Sequence, residues 1–128
     1  ELDAVIVPGG YGAAKNLCSF AVDGAAMKVN PELTSLLQAV HGAGKPLGFL
    51  CIAPVIAARV FGSVHPRLTI GDDAETAAAL ETMGARHVPC AVDDIVVDAD
   101  LRRRHADRLF SMEGLDLDDP DVMSGAWR

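Results

Sequence analysis

Apolar and polar positions along the chain follow two rhythms. Continuous apolar runs stand at Ala4-Val5-Ile6-Val7 and from Pro46 to Leu50, and runs without alternation suit parallel strands covered on both faces. Between them Leu33, Leu36, Leu37 and Val40 recur at i, i+3, i+4 and i+7, the stripe of an amphipathic helix. Asn30 and Pro31 supply its N-cap and first helical residue, His41 lies in its last turn, and Gly42 and Gly44 end it. Further helices are expected from Ala13 to Ala21, carrying Cys18, from Ala53 to Phe61, stopped by Gly62, and after Asp72 or Asp73, with Ala77, Leu80 and Met83 toward the sheet and Gly84 as C-cap. Leu68-Thr69-Ile70 reads as a short strand, His87 to Cys90 as a connection, and Asp94 to Asp98 as the last convincing strand. Strands alternating with helices over short connections predict a doubly wound parallel sheet in a single α/β domain over residues 1–100.

Beyond Asp100 the pattern fades. A basic run, Arg102-Arg103-Arg104-His105, precedes Asp116, Asp118, Asp119 and Asp121, with few apolar residues between them. Residues 101–128 read as a divergent acidic tail, an exposed helix followed by a poorly ordered end.

Both apolar runs end in chemistry-bearing turns. The first stops at Pro8-Gly9-Gly10-Tyr11-Gly12. Glycine there permits positive φ and close backbone approach, and the carboxyl end of a parallel strand is where open α/β sheets bind ligands. Its spacing is not that of a dinucleotide fingerprint, which leaves a plain turn or a backbone oxyanion donor. The second run ends at Cys51, and Ala53, Ala57 and Ala58 then begin a helix of small residues. A strand turning sharply into a helix lifts the residue at the bend out of the backbone. The helix start sets free N–H groups beside the sulfur, an arrangement that favours the thiolate, the nucleophilic form. The competing reading is a small apolar residue filling the core; Phe49 also stands where hydrolase elbows keep glycine. One coherent site results: Cys51 as nucleophile, with the backbone N–H groups of Gly10 and Ile52 as oxyanion donors.

Other constellations carry less. Cys18, Cys51 and Cys90 lie far apart without metal-ligand spacing, so no metal is expected. Asp93 and Asp94 are adjacent strand residues that point to opposite faces. Cys18 reads as structural, His41 as solvated or capping, and the Arg run as a solvated patch.

Composition narrows the classes further. The chain has 128 residues, half of them hydrophobic, with net charge −7 and pI about 4.8. That suits a sizeable core and disfavours nucleic acid or an acidic membrane as partner. No apolar run approaches the ~20 residues of a membrane span, and no basic-then-apolar leader is visible. Three cysteines, an odd count, suggest free thiols in a reducing compartment and a cytoplasmic location. A first residue of Glu1 rather than Met suggests a processed, trimmed or incomplete chain.

Several motifs together resemble one family. Leu2 to Leu17 (LDAVIVPGGYGAAKNL), Gly44 to Pro54 (GKPLGFLCIAP), Arg67 to Gly71 (RLTIG), His87 to Cys90 (HVPC) and Val92 to Asp98 (VDDIVVD) look like the ElbB group. This is the glyoxalase-like, isoprenoid-biosynthesis-associated branch of the ThiJ/PfpI, class I glutamine amidotransferase-like superfamily. The resemblance implies a flavodoxin-like sandwich, here incomplete, homodimeric in the full-length family, with Cys51 as nucleophile and Gly10 and Ile52 at the oxyanion positions. It further implies cofactor-free conversion of glyoxal-type dicarbonyls to hydroxy acids, formally a lyase reaction. The isoprenoid label is a historical name more than a mechanism. Two departures stand out. The family carries an upstream strand and an acidic residue that contacts the thiol, both absent here, and after Asp98 it continues with Val, Thr, Pro, Ala and Tyr where this chain has its Arg run. A frameshift would produce that second departure. The alternatives to an enzyme are a redox-responsive cysteine or protein-binding module, and an inactive fragment.

Overall fold

The computed structural model describes residues 2–98 and 109–112, the last four as backbone. Among the described residues there are six strands and four α-helices: β1 Val5–Val7, α1 Phe20–Asp23, α2 Pro31–Gly42, β2 Leu47–Leu50, α3 Pro54–Phe61, β3 Arg67–Leu68, α4 Ala74–Thr82, β4 Arg86–His87, β5 Ile95–Val97 and β6 Leu109–Met112. β1, β2, β6 and β5 form one sheet in that order, and β3 and β4 form a second, parallel pair. This is the flavodoxin-like α/β architecture expected from the sequence. The β5–β6 contact is antiparallel, whereas β1–β2 and β2–β6 are parallel.

Parallel register places Val5 opposite Leu47, Ile6 opposite Gly48 and Val7 opposite Phe49. The two apolar runs are therefore neighbours, and the turns that follow them emerge side by side at one end of the sheet. α3 packs behind them. Pro54, Val55, Ile56, Ala57, Ala58 and Phe61 are all buried, so the helix is covered around most of its circumference. Leu37 and Val40 of α2 join Leu47, Phe49, Val55, Ile56, Leu68 and Leu80 in one apolar cluster. Of the expected α2 stripe, Leu33 packs against the rim of that cluster and Leu36 is exposed.

Three local expectations are corrected. No helix runs from Ala13 to Ala21: a wide helical turn, Ala13–Leu17, ends at an extended Cys18 (φ −153°), and α1 starts afresh at Phe20. The reason is a competing set of bonds. Ser19 N–H donates to the Lys28 carbonyl at 2.9 Å, Asn30 N–H donates to the Leu17 carbonyl at 2.8 Å, and Cys18 bridges to Val29. His87, expected to open a connection to Cys90, instead ends a strand that begins at Arg86, because Arg86 N–H donates to Pro66 O and Val88 N–H donates to Leu68 O, both at 2.8 Å; Val88 to Cys90 do form a connection. His41 is neither solvated nor a cap alone; its ring lies 4.6 Å from that of Phe61, half-buried between α2 and α3. Within the segment expected to be a tail, Leu109–Met112 forms a strand between β2 and β5. The Arg run and the four aspartates lie outside the described residues.

Candidate functional site

Cys51 stands at the turn between β2 and α3. The Ala53 N–H donates to the Leu50 carbonyl at 2.9 Å, which closes the turn around residues 51 and 52. Cys51 takes φ 57°, a left-handed conformation that residues with a Cβ seldom adopt. Such a backbone costs on the order of 1–3 kcal/mol and persists only where its surroundings enforce it. The enforcing elements are visible. β2 is paired on both sides, α3 is buried, and Gly9 presses on the turn from β1's end. Gly9 has φ 84°, and a Cβ there would collide with the Leu50 carbonyl and lie 3.1 Å from Cys51 Cβ and 3.3 Å from Ile52 N. Glycine is required by both conformation and space.

The consequence is an exposed thiol over a shallow apolar hollow. The hollow has a volume of about 400 Å³ and is lined by Gly10, Tyr11, Ala14, Phe20, Ala21, Cys51 and Ile52. The structure thus brings together all three residues singled out in the sequence, Cys51, Gly10 and Ile52. Of the lining residues, Ala14 is buried, Phe20 and Ile52 pack partly against the core, and Tyr11 is three-quarters exposed. The Gly10 carbonyl accepts from Ala13 N–H at 3.0 Å and Ala14 N–H at 3.3 Å, which fixes the loop that bears Tyr11. Cys51 and Tyr11 are the ionisable groups among these lining residues.

The remaining cysteines, and His65, Asp94 and Asp98, are not among these lining residues. Cys18 is buried, with its Sγ 3.5 Å from the Ala13 carbonyl. Burial pushes its thiol pKa up, partly offset by the Phe20 backbone N–H. His65 is held by Gly84, its Nδ1 2.8 Å from that carbonyl oxygen. The Asp94 carboxylate accepts the Ile95 N–H at 2.7 Å at the start of β5. Asp98 is fully buried and accepts the Arg67 N–H at 2.7 Å, tying β5's end to β3. Sequence reading placed Asp98 only as a strand end; no local signal marks its partner thirty-one residues away. Cys90 lines a second hollow with Gly71, Asp72 and Pro89. Among the described residues no group of three or more His, Cys, Asp or Glu could hold a metal, and no helix is long and apolar enough to cross a membrane.

No family model matches the chain. It is 47% identical over 105 residues, 75% of its length, to the rat (Rattus norvegicus) ES1 protein homolog, mitochondrial. It shares the same identity over 105 residues with the human (Homo sapiens) glutamine amidotransferase-like class 1 domain-containing protein 3, mitochondrial. The chain spans 39% and 38% of the lengths of these two relatives. Among solved structures it is similar to an isoprenoid biosynthesis protein with amidotransferase-like domain from Ehrlichia chaffeensis, with TM-score 0.70 and 27% identity over 98% of this chain and 53% of the other. These relatives correct the cytoplasmic expectation, since the curated ones are named as mitochondrial. An odd number of free thiols argues against a disulfide framework but does not tell one reducing compartment from another.

Proposed function

The chain belongs to the class I glutamine amidotransferase-like superfamily, and on that premise we propose that its site is the nucleophilic part of a cofactor-free, glyoxalase-like centre acting on small dicarbonyls. The observation that carries this reading is Cys51 itself, exposed at a left-handed φ where two glycines and the start of α3 meet. Its sulfur adds to the aldehyde carbon of glyoxal to give a hemithioacetal. The backbone N–H groups of Gly10 and Ile52 then stabilise the alkoxide formed on the former carbonyl oxygen. Transfer of the hemithioacetal C–H hydrogen to the neighbouring carbon as a proton oxidises the first carbon and reduces the second. Water cleaves the resulting thioester, giving glycolate and the free thiol.

Aldehyde chemistry suits this hollow better than amide hydrolysis does. Releasing ammonia from an amide requires a proton donor for the leaving group, and the described lining residues include no histidine or carboxylate. Addition of a thiol to an aldehyde expels nothing and is reversible. With no histidine or carboxylate among those residues the later proton transfer is slow, because general acid–base help is worth roughly 10²–10⁴-fold. The expected result is therefore ready adduct formation with weak turnover. Glycolate production from glyoxal, measured for the native chain and for Cys51→Ala, tests the reading. It is overturned if the variant produces glycolate as fast as the native chain, or if Cys51 oxidises to sulfinate but never adds to the aldehyde.

A further inference from the structure

The hollow beside Cys51 is far larger than a two-carbon substrate requires. Its volume of about 400 Å³, in a hollow open to solvent, leaves room beside the sulfur for a further group. Its lining is mostly apolar: Ala14, Phe20 and Ala21 from α1, Ile52 from the elbow, and Tyr11. Glyoxal, small and strongly hydrated, gains nothing from such walls. A substrate carrying an apolar group next to its aldehyde would bury that group against Phe20 and Ile52 while its aldehyde carbon reached Cys51. The break at Cys18 produces this wall. Had the helix run on from Ala13 to Ala21, Phe20 would not begin a new helix with its own direction.

We infer that the hollow is an acyl-group subsite, and that the site is built for 2-oxoaldehydes bearing a branched-alkyl or aryl substituent rather than for glyoxal. This rests on the reading of Cys51 as the nucleophile. For a substrate R–CO–CHO the thiol adds across the aldehyde C=O, so that the S–H proton ends on oxygen. The former aldehyde hydrogen then moves to the keto carbon as a proton, and water releases R–CH(OH)–COOH and the thiol. The aldehyde carbon is oxidised by two electrons and the keto carbon reduced by two, so no outside oxidant or reductant enters. A hydrophobic pocket distinguishes one methylene by roughly 10-fold to 200-fold, so an aryl group should be favoured by at least about 10-fold.

The test separates the subsite from the chemistry. Chloroacetamide and its N-benzyl derivative alkylate thiols without any turnover, and their rates at Cys51 are read by peptide mapping and normalised to their rates with glutathione. The native chain should favour the N-benzyl reagent by about 10-fold or more. Ala21→Asp places a charge in the wall at an exposed helix position that the fold tolerates, and should bring the ratio close to one; Phe20→Ser should do the same if it folds. Equal normalised rates in the native chain, or a preference untouched by Ala21→Asp, would overturn the inference. In parallel, phenylglyoxal and glyoxal are compared for hydroxy-acid product. A benzyl preference without any product from either dialdehyde or ketoaldehyde sustains the subsite and counts against the glyoxalase-like reading alone, whereas product from glyoxal at the same kcat/KM as from phenylglyoxal counts against the subsite.

Discussion

Cys51 holds its backbone conformation because its neighbours leave no other. Gly9 is the most demanding of them, with φ 84° and no room for a Cβ beside the Leu50 carbonyl. Gly9→Ala should therefore push the elbow outward, slowing alkylation of Cys51 and destabilising the chain by about 1–3 kcal/mol, read from a denaturant melt and a thiol-labelling rate. Gly10→Ala, with nothing within 4 Å of its Cβ position, meets no such collision and carries only the cost of its φ of 86°. A Gly10 variant as damaging to elbow labelling as Gly9→Ala would contradict this account. The three cysteines divide by environment. Cys18 is buried and its thiol pKa is raised by that burial, while Cys51 is exposed. Iodoacetamide near pH 7 should label Cys51 well before Cys18, and labelling of both at one rate would show that the turn around Cys18 opens freely. Cys51 was legible in the sequence because a strand run, a cysteine and a small-residue helix adjoin there. Phe20 as a wall of the hollow was not, since it depends on where α1 starts.

At the scale of elements, two N-caps were readable and both formed. The Asn30 side chain accepts the N–H groups of Glu32 at 2.9 Å and Leu33 at 3.1 Å, with Pro31 as the first residue of α2. Asn30→Ala should lower stability by about 1 kcal/mol, seen as a shifted denaturant midpoint with unchanged slope. Asp73 caps α4 in the same way. The Thr76 hydroxyl, then the Thr76 and Glu75 backbone N–H groups, hold its carboxyl below its ordinary pKa. A depressed folded pKa means that this stabilisation is present above the unfolded value of about 3.9 and is lost as pH falls through the folded value. The difference in Tm between the native chain and Asp73→Asn should therefore be largest near neutrality and shrink below about pH 4; a difference constant down to strong acid would rule the cap's charge out. The helix expected from Ala13 to Ala21 failed for a reason that composition does not carry. Its backbone groups are taken by residues 28–30, a pairing set by the chain's return and not by local propensity.

The whole sheet depends on a pairing that no local pattern announces. β6 stands between β2 and β5, with Ser111 opposite Phe49 on one side and Val96 on the other. A strand so short, in a stretch where acidic and basic residues dominate, carries no period of its own. The parallel pairing of β1 with β2, by contrast, could be anticipated from two unbroken apolar runs. Ser111→Pro removes a backbone donor from the middle of the sheet; an unmade buried bond costs roughly 1–3 kcal/mol, so Tm should fall by several degrees, and an unchanged Tm would show that β6 contributes little. At this scale the account comes down to whether the sheet delivers Cys51 to an aldehyde. The most direct measurement is the NMR spectrum of isotope-labelled glyoxal mixed with the chain and with Cys51→Ala. A hemithioacetal resonance that is present with the native chain, absent with the variant and followed by slow growth of glycolate is the result expected. An adduct of equal intensity in both, or glycolate formed without any dependence on Cys51, would contradict it.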